Sequence, residues 1–550
     1  MRSPDAKLRR GWTITVAVVL AGALAACGGE KKQGQEVAAG PRARGGTVVV
    51  GMRADFGPLN PVVNTEQYTD ELIKYGLYTP LIQFDEKLNP VPYLAQSWDM
   101  TGDTGVVFHL RHDVYWHDGP RVTAQDVKFT FDLAKNPATA SMLAESYLSK
   151  VDRAQVVDSF TIRFHFSQPH AQAIQDFWWA PVPEHLLAKI PPAQLRDADF
   201  NRHPVGSGPY HFNMWQANDR LVVERELNFP KDLGGPPALD RVVFRIIPEP
   251  STLITELLSG GIQIDVPLDP EQLANVKGNA NLQLFAFPGR TVYFIAWNNR
   301  RPPFNDARVR QAMTLGIDRK QITEALLRGY GQVAVSPIPP WSPLAPDVQP
   351  LPFDRMKALQ LLADAGYTIK GNAQFVTNAA GQPIHITLLT SNQPLNVSAA
   401  QVLQAMLHNI GVQVDVQPME FQTFLAQYKA RNFDAAFANW VMDSFQVASA
   451  PYALFSSSLA NVPESSNRAG VASPQLDQLM AKAAAETSER AARSDWKDFV
   501  EELQKEQPFT FMFWWAEMSA ADKRVHGVVM DPRGQLLTMK DWWLTGGRLR

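Results

Sequence analysis

Between residues 384 and 440 the apolar pattern changes period four times, and this alternation restricts the fold more than any other feature of the chain. Residues 384–390 read as a strand, and a helix follows with Ala399, Val402, Leu403, Met406 and Ile410 on one face and Gly411 as its stop. Val412, Val414 and Val416 alternate with Gln413, Asp415 and Gln417 as a second strand. Phe421, Phe424, Leu425 and Tyr428 mark a second helix, and residues 433–440 form a third strand. A βαβαβ run makes a parallel sheet with right-handed crossovers, and such sheets bind ligands in the crevice beyond the carboxyl ends of their strands. The loops after Thr390 and after Trp440 both fall at that edge.

The same reading extends to the flanks. Residues 47–52, 106–110, 161–166, 221–226 and 241–247 are predicted as short strands separated by Pro and Gly clusters, so the first half is mixed α/β and rich in strands. From about residue 290, helices with clear ends alternate with single strands: Val309, Ala312, Met313, Gly316 and Ile317 recur at helical spacing. Asp318 is predicted to cap the next helix, with Gln321 at the reciprocal capping position and the stop at Gly329.

Arg2, Lys7, Arg9 and Arg10 precede an uncharged, mostly apolar run over residues 12–26, the pattern of an export signal. The run falls short of the roughly 20 residues a membrane-spanning helix needs. It ends in Leu24-Ala25-Ala26-Cys27, which resembles a bacterial lipobox and implies a diacylglyceryl group on Cys27, hence a membrane anchor through lipid. Ordinary signal cleavage after a small residue is the alternative. Cys27 is the only cysteine among 550 residues, so no intramolecular disulfide can form and stability must come from burial. Residues 28–45 hold little to bury and are predicted as a flexible tether, with the fold beginning near Gly46. The remaining ~500 residues exceed one hydrophobic core, so two or three lobes are expected.

Several function classes are disfavoured. Removing residues 1–26 leaves 48 Lys and Arg against 54 Asp and Glu, a formal charge of -6, which gives no nucleic-acid footprint. H-E-x-x-H, G-x-S-x-G, P-loop and dinucleotide motifs are all lacking, so no enzyme and no cofactor is expected.

Residues 94–132, LAQSWDMTGDTGVVFHLRHDVYWHDGPRVTAQDVKFTFD, resemble the signature of the family 5 extracellular solute-binding proteins, the dipeptide-, oligopeptide- and nickel-binding group. The resemblance continues in Pro204-Val205-Gly206-Ser207-Gly208-Pro209-Tyr210, in WNNRRPPFNDARVRQAMTLGIDRKQI from Trp297, in KALQLLADAGY from Lys357 and in FTFMFWWAEMSAADKRVHGV from Phe509. It implies a two-lobed α/β fold like the large periplasmic binding proteins, with two crossing segments and a ligand cleft between the lobes. The expected division is a leader over 1–26, a tether over 27–45, a first lobe over 46–288 with an inserted subdomain at about 90–225, a second lobe over 289–508, and a return to the first lobe over 509–550. The implied role is a monomeric receptor that hands peptides to the permease of an ABC importer.

The resemblance also carries site residues. In peptide-binding members an Asp three residues after a Trp, beyond a strand, pairs with the peptide's α-ammonium, and Trp440-Val441-Met442-Asp443 matches. Capping of a turn is the alternative for Asp443, as core packing is for Trp440. The Asp-Pro pair that often follows is replaced by Ser444-Phe445-Gln446, which puts the loop shape in doubt. Dipeptide-binding members place an Arg before a Pro after the first strand, whereas this chain has Gln393-Pro394, so longer peptides or another amine-bearing ligand are expected. Asn392, Gln393, Trp440, Asp443 and Phe445 are the candidate ligand contacts. Trp178, Trp179, Trp514 and Trp515 are expected in the core or between lobes. His109, His112 and His117 lie inside the signature and are expected to finish a strand and a turn around Asp118-Gly119, with no metal site. Two other readings stay open: the same role for an oligosaccharide, opine or chelated metal, and a surface lipoprotein acting as chaperone, adhesin or sensor.

Overall fold

A computed structural model describes residues 43–545 apart from 170, 171, 443, 444 and 464. The leader, Cys27 and Asp443 lie outside the described residues. Among the described residues no helix is long and apolar enough to cross a membrane.

Among the described residues eleven strands form one large mixed sheet. In chain order they are β1 (Thr47–Met52), β2 (Tyr210–Gln216), β3 (Arg220–Arg225), β4 (Arg241–Ile246), β5 (Ile264–Val266), β6 (Leu282–Trp297), β7 (Gly331–Val333), β8 (His385–Ser391), β9 (Gln413–Met419), β10 (Ala435–Val441) and β11 (Phe509–Asp522). Their spatial order is β9-β8-β10-β6-β11-β5-β1-β4-β3-β2, with β7 paired to β11 off that path. A separate four-stranded antiparallel sheet uses Ala95–Met100, Gly105–Leu110, Val151–Asp158 and Thr161–Phe166.

The βαβαβ unit forms as read: β8 pairs in parallel with both β9 and β10, joined through helices Pro394–His408 and Phe421–Lys429. Ala399, Ala400, Leu403 and Leu407 are the buried face of the first helix, while Val402 and Met406 pack only partly buried against the same core. Gly411 ends it with a φ of 78°, a value that suits a residue without Cβ. Asp318 caps its helix through a 2.9 Å bond from the Gln321 amide, but the left-handed turn already starts at Arg328 (φ 51°), one residue before the predicted stop.

Apolar residues collect into cores on either side of the β6–β11 ladder. Two clusters draw almost wholly on residues 48–287 and 518–544, and two draw on 292–514. β6 and β11 run through both: residues 282–288 pair with 516–522 in the first lobe, and 292–296 with 509–514 in the second. Among the described residues Phe445 is the buried side chain that leaves its own side to join the first-lobe core, and the partly buried Trp341 and Tyr330 pack against first-lobe cores as well.

Candidate functional site

The β6–β11 ladder loses register between Pro288 and Val292. A proline cannot donate to the ladder, and bulges re-aim side chains. Gly289 allows the strands to stay close there, because a Cβ would sit 2.7 Å from the Trp515 carbonyl oxygen and 2.8 Å from Glu517 Cγ. The break turns Arg290 inward, where it is 4 % exposed. Its Nε donates to the Pro532 carbonyl at 3.0 Å and its Nη2 to the Arg533 carbonyl at 2.8 Å.

Two carboxylates face this cation. Burial pulls the Arg290 pKa down, but Glu71 and Glu517 outweigh it and raise it overall. Glu71 Oε2 accepts from the amides of Gln535 at 2.6 Å and Leu536 at 3.0 Å, while its buried Oε1 has no partner among the described residues. Burial pushes the Glu71 carboxyl up to about 7 despite Arg290, with Glu517 adding to the rise. Gln535 Nε2 donates to Glu517 Oε2 at 3.0 Å, and Gln67 reaches the other oxygen at 3.4 Å. Four separate chain segments thus meet where the strands cross.

Helix Gln67–Leu72 runs on into a π-helical turn, Ile73–Leu77, buried throughout. Such turns are rare and concentrate at functional sites. Here the turn carries Lys74, whose Nζ lies 2.7 Å from Asp70 Oδ2, 3.1 Å from the Tyr147 hydroxyl and 3.8 Å from the centre of the Trp178 ring.

These groups border a cavity of about 320 Å³. Its first-lobe wall carries the charged and polar groups, Asn64, Glu66, Asp70 and Lys74, interleaved with apolar Ile73, Leu143 and Trp179. Arg290 lines it at the crossing, and among the described residues the second lobe supplies only Val441 and Met442. The end of β10 is held at the bulge by the pair Thr291–Val441 and by a 3.0 Å bond from the Met442 amide to the Arg290 carbonyl.

The sequence-predicted residues distribute unevenly around this cavity. Asp443 follows Met442 directly in the chain and lies outside the described residues. Trp440 is half-buried against the second-lobe core, paired with Val292, and its neighbour Val441 takes the place on the cavity wall. Asn392 and Gln393 are exposed at the carboxyl end of β8, where the Asn392 amide donates to the Met419 carbonyl at 2.7 Å. Phe445 is buried between lobes. Trp178, Trp179 and Trp514 are buried, Trp515 is half-buried, and Trp179 alone of these four borders the cavity. The three signature histidines are engaged separately: His109 with Asp99 at 3.1 Å, His112 stacked on Phe160 at 4.0 Å, and His117 with the Gly208 carbonyl at 3.0 Å.

Sequence reasoning missed Asp70, Glu71, Lys74, Arg290 and Glu517. Two signals were present: charged residues inside the apolar stretch Leu72-Ile73-Tyr75-Leu77, and Pro288-Gly289 within an otherwise strand-like run.

Two α/β lobes sharing one sheet, with a cavity at the strand crossing, define a two-lobed binding protein. The model for the bacterial extracellular solute-binding proteins, family 5, matches residues 89–461, and the chain belongs to that family. It is 28 % identical over 545 residues to the oligopeptide-binding protein AppA of Bacillus subtilis, covering 96 % of this chain and 98 % of AppA. A putative ABC transporter peptide-binding protein of Brucella ovis is 31 % identical over 399 residues, covering 70 % of this chain and 72 % of its own. Among solved structures, AppA from Bacillus subtilis in complex with a nonapeptide superposes with a TM-score of 0.75 at 25 % identity, covering 92 % of this chain and all (100 %) of that one. DppA from Helicobacter pylori, in complex with the peptide STSA, shares the fold at a TM-score of 0.74 and 23 % identity, over 91 % of this chain and 98 % of its own. The family is extracytoplasmic, and these relatives are substrate-binding transport proteins rather than enzymes.

Proposed function

We propose that this chain is the receptor of an ABC importer, anchored through lipid on Cys27, that captures oligopeptides in preference to dipeptides and delivers them to the permease. The observation that carries the reading is the cavity at the crossing of β6 and β11, with charged and apolar groups interleaved on one wall and apolar side chains on the other, in a chain that aligns with a peptide-binding relative over nearly its full length. A peptide carries charged ends, main-chain amides and varied side chains, and a wall of this mixed character suits all three.

The carboxylate of Asp443, next in the chain to the cavity-lining Met442, is assigned to the peptide's ammonium group. A charge-assisted hydrogen bond in a closed, poorly hydrated space contributes about 1.5–3 kcal/mol, or roughly one to two decades of affinity. Asn392, Gln393 and Trp440 stand at the carboxyl ends of β8 and β10, where they serve as contacts for ligand extending beyond the cavity. With Gln393 where a dipeptide clamp has an Arg, no cation is fixed at dipeptide length, which favours longer ligands.

Capture works by population shift: a peptide closes the lobes only as far as it binds the closed form better than the open one. Calorimetry of the mature domain against a mixed peptide library tests the reading. Heat from peptide pools is expected, with a ten- to hundredfold weaker affinity in Asp443→Ala. No heat from any pool, together with binding of a neutral sugar, overturns it. Mass spectrometry of the membrane fraction checks the anchor: an acylated Cys27 is expected, with Cys27→Ser released from the membrane.

A further inference from the structure

The loop after β10 does more than wall the cavity. Val441, the last residue of β10, and Met442, the first of the loop, line the chamber, and Met442 packs in the second-lobe core. Three residues on, Phe445 crosses to the other lobe. Its ring lies 4.9 Å from Trp178 in a stacked arrangement and 5.0 Å edge-on from Phe84, both first-lobe residues. The Arg290 guanidinium stands 5.3 Å from the same ring, and Trp341 closes it from the second lobe at 5.4 Å. By Val447 the chain is back in the second-lobe core. Hydrogen bonds fix the crossing: Gln446 Nε2 donates to Asp176, the Val447 amide donates to Gln172 Oε1 at 2.9 Å, and Gln172 Nε2 donates to the Phe445 carbonyl at 3.4 Å. Trp341 in turn donates to the Gly289 carbonyl at 3.1 Å, so the aromatic cluster is tied to the bulge between the lobes.

We propose that Phe445, with Gln172 and Gln446, is a positioning device: a fastener that holds the cavity-lining loop against the first lobe and sets how much of the unliganded protein is closed. The ring contacts and hydrogen bonds named above join protein groups of the two lobes, so they favour closure irrespective of which peptide is present. Moving the lobes apart withdraws one ring from an aromatic pocket and breaks at least three hydrogen bonds at once, which makes the change discrete. Apparent affinity scales with the fraction of molecules in the binding-competent form, so a fastener raises affinity for every ligand by one common factor. The affinity arm of this inference rests on the peptide-receptor reading, but the closure arm does not.

The test compares wild type, Phe445→Ala, Phe445→Leu and Gln172→Ala as full mature chains. Small-angle X-ray scattering without peptide reads closure. Calorimetry with two unrelated peptides that give heat with the wild type reads affinity. The expected result is a more extended peptide-free form in Phe445→Ala, a smaller shift the same way in Phe445→Leu and Gln172→Ala, and an affinity loss of about tenfold or more that is equal for both peptides. If Phe445→Ala does not fold, the two milder variants carry the test. Unchanged scattering overturns the proposal, and a loss confined to one peptide reassigns Phe445 as a ligand contact. Should no peptide bind the wild type, the receptor reading fails while the scattering still decides the fastener.

Discussion

The two walls of the cavity are built on opposite plans. The first-lobe wall is a helix and π-turn in which Lys74 is held by Asp70 and Tyr147, backed at the crossing by a buried network in which Glu71 accepts from two main-chain amides and Arg290 donates to two carbonyls. The second-lobe wall is the end of one strand, Val441 and Met442, with Phe445 beyond it lodged in the opposite lobe. The contrast assigns different tasks. A dense buried polar network is rigid and costly to disturb, so it acts as a fixed template, whereas a strand end fastened across the lobes by one ring and a few hydrogen bonds can be released.

If the first wall is such a template, its cation is the most damaging residue to remove. Arg290→Met leaves Glu71 and Glu517 without their counter-charge and the Pro532 carbonyl without its Arg290 donor, while the Arg533 carbonyl keeps the Tyr75 hydroxyl. Loss of one member of a buried charge network costs about 3–5 kcal/mol. Urea denaturation is expected to show that loss, and a drop below 1 kcal/mol breaks the contrast.

Next in size is a pH effect. The Glu71 carboxyl is raised from 4.5 to about 7 in the fold, so between those values the folded protein holds a proton the unfolded chain has released. Stability attributable to this group is therefore fully present below about pH 4.5 and falls as pH rises towards 7. A shift of this size corresponds to about 3 kcal/mol. Glu71→Gln keeps an oxygen to accept from Gln535 and Leu536 and removes the titration. The variant is expected to lose less stability than wild type on going from pH 5 to pH 8, followed by melting temperature. Parallel curves for the two proteins remove Glu71 from the account.

Lys74→Met is expected to cost roughly 2 kcal/mol, from the bonds to Asp70 and Tyr147 that disappear, partly offset by the apolar replacement against Trp178. Chemical denaturation measures it. A Lys74→Arg variant that restores the stability would show that charge alone matters there.

How far these features were legible follows from the same contrast. The βαβαβ unit was readable because its helices and strands alternate period with local stop signals such as Gly411, and local chemistry decides such elements. The family signature carried the overall fold, and Val441 and Met442, which follow Trp440 in the chain, line the cavity. The single sheet running through both lobes was not legible, because the pairing of residues 282–297 with 509–522 spans more than two hundred positions and leaves no local trace. For the same reason the charged network was missed: Glu71, Arg290, Glu517 and Gln535 are far apart in sequence, and each alone reads as a surface residue. Phe445 was singled out for its place after the Trp-x-x-Asp motif, but that an aromatic there reaches the opposite core depends on Phe84 and Trp178.

The smallest expected effect sharpens the contrast from the other side. Val441 lines the cavity yet is 39 % exposed, so Val441→Ser removes little buried area and leaves no polar group without water or a partner. Exposed substitutions of this kind stay within about 0.5 kcal/mol of wild type. The strand itself is held from the β6 side by its main chain, through the pair with Thr291 and the adjoining Met442 amide, and neither bond involves the Val441 side chain. Calorimetry and urea denaturation on the same variant separate the two properties. Stability should stay at the wild-type value while peptide affinity moves by a few-fold, since the lost contact is with the guest and not with the protein. A stability loss as large as that of Lys74→Met would mean that the second wall is as deeply engaged as the first, and the division into template and moving wall would no longer hold.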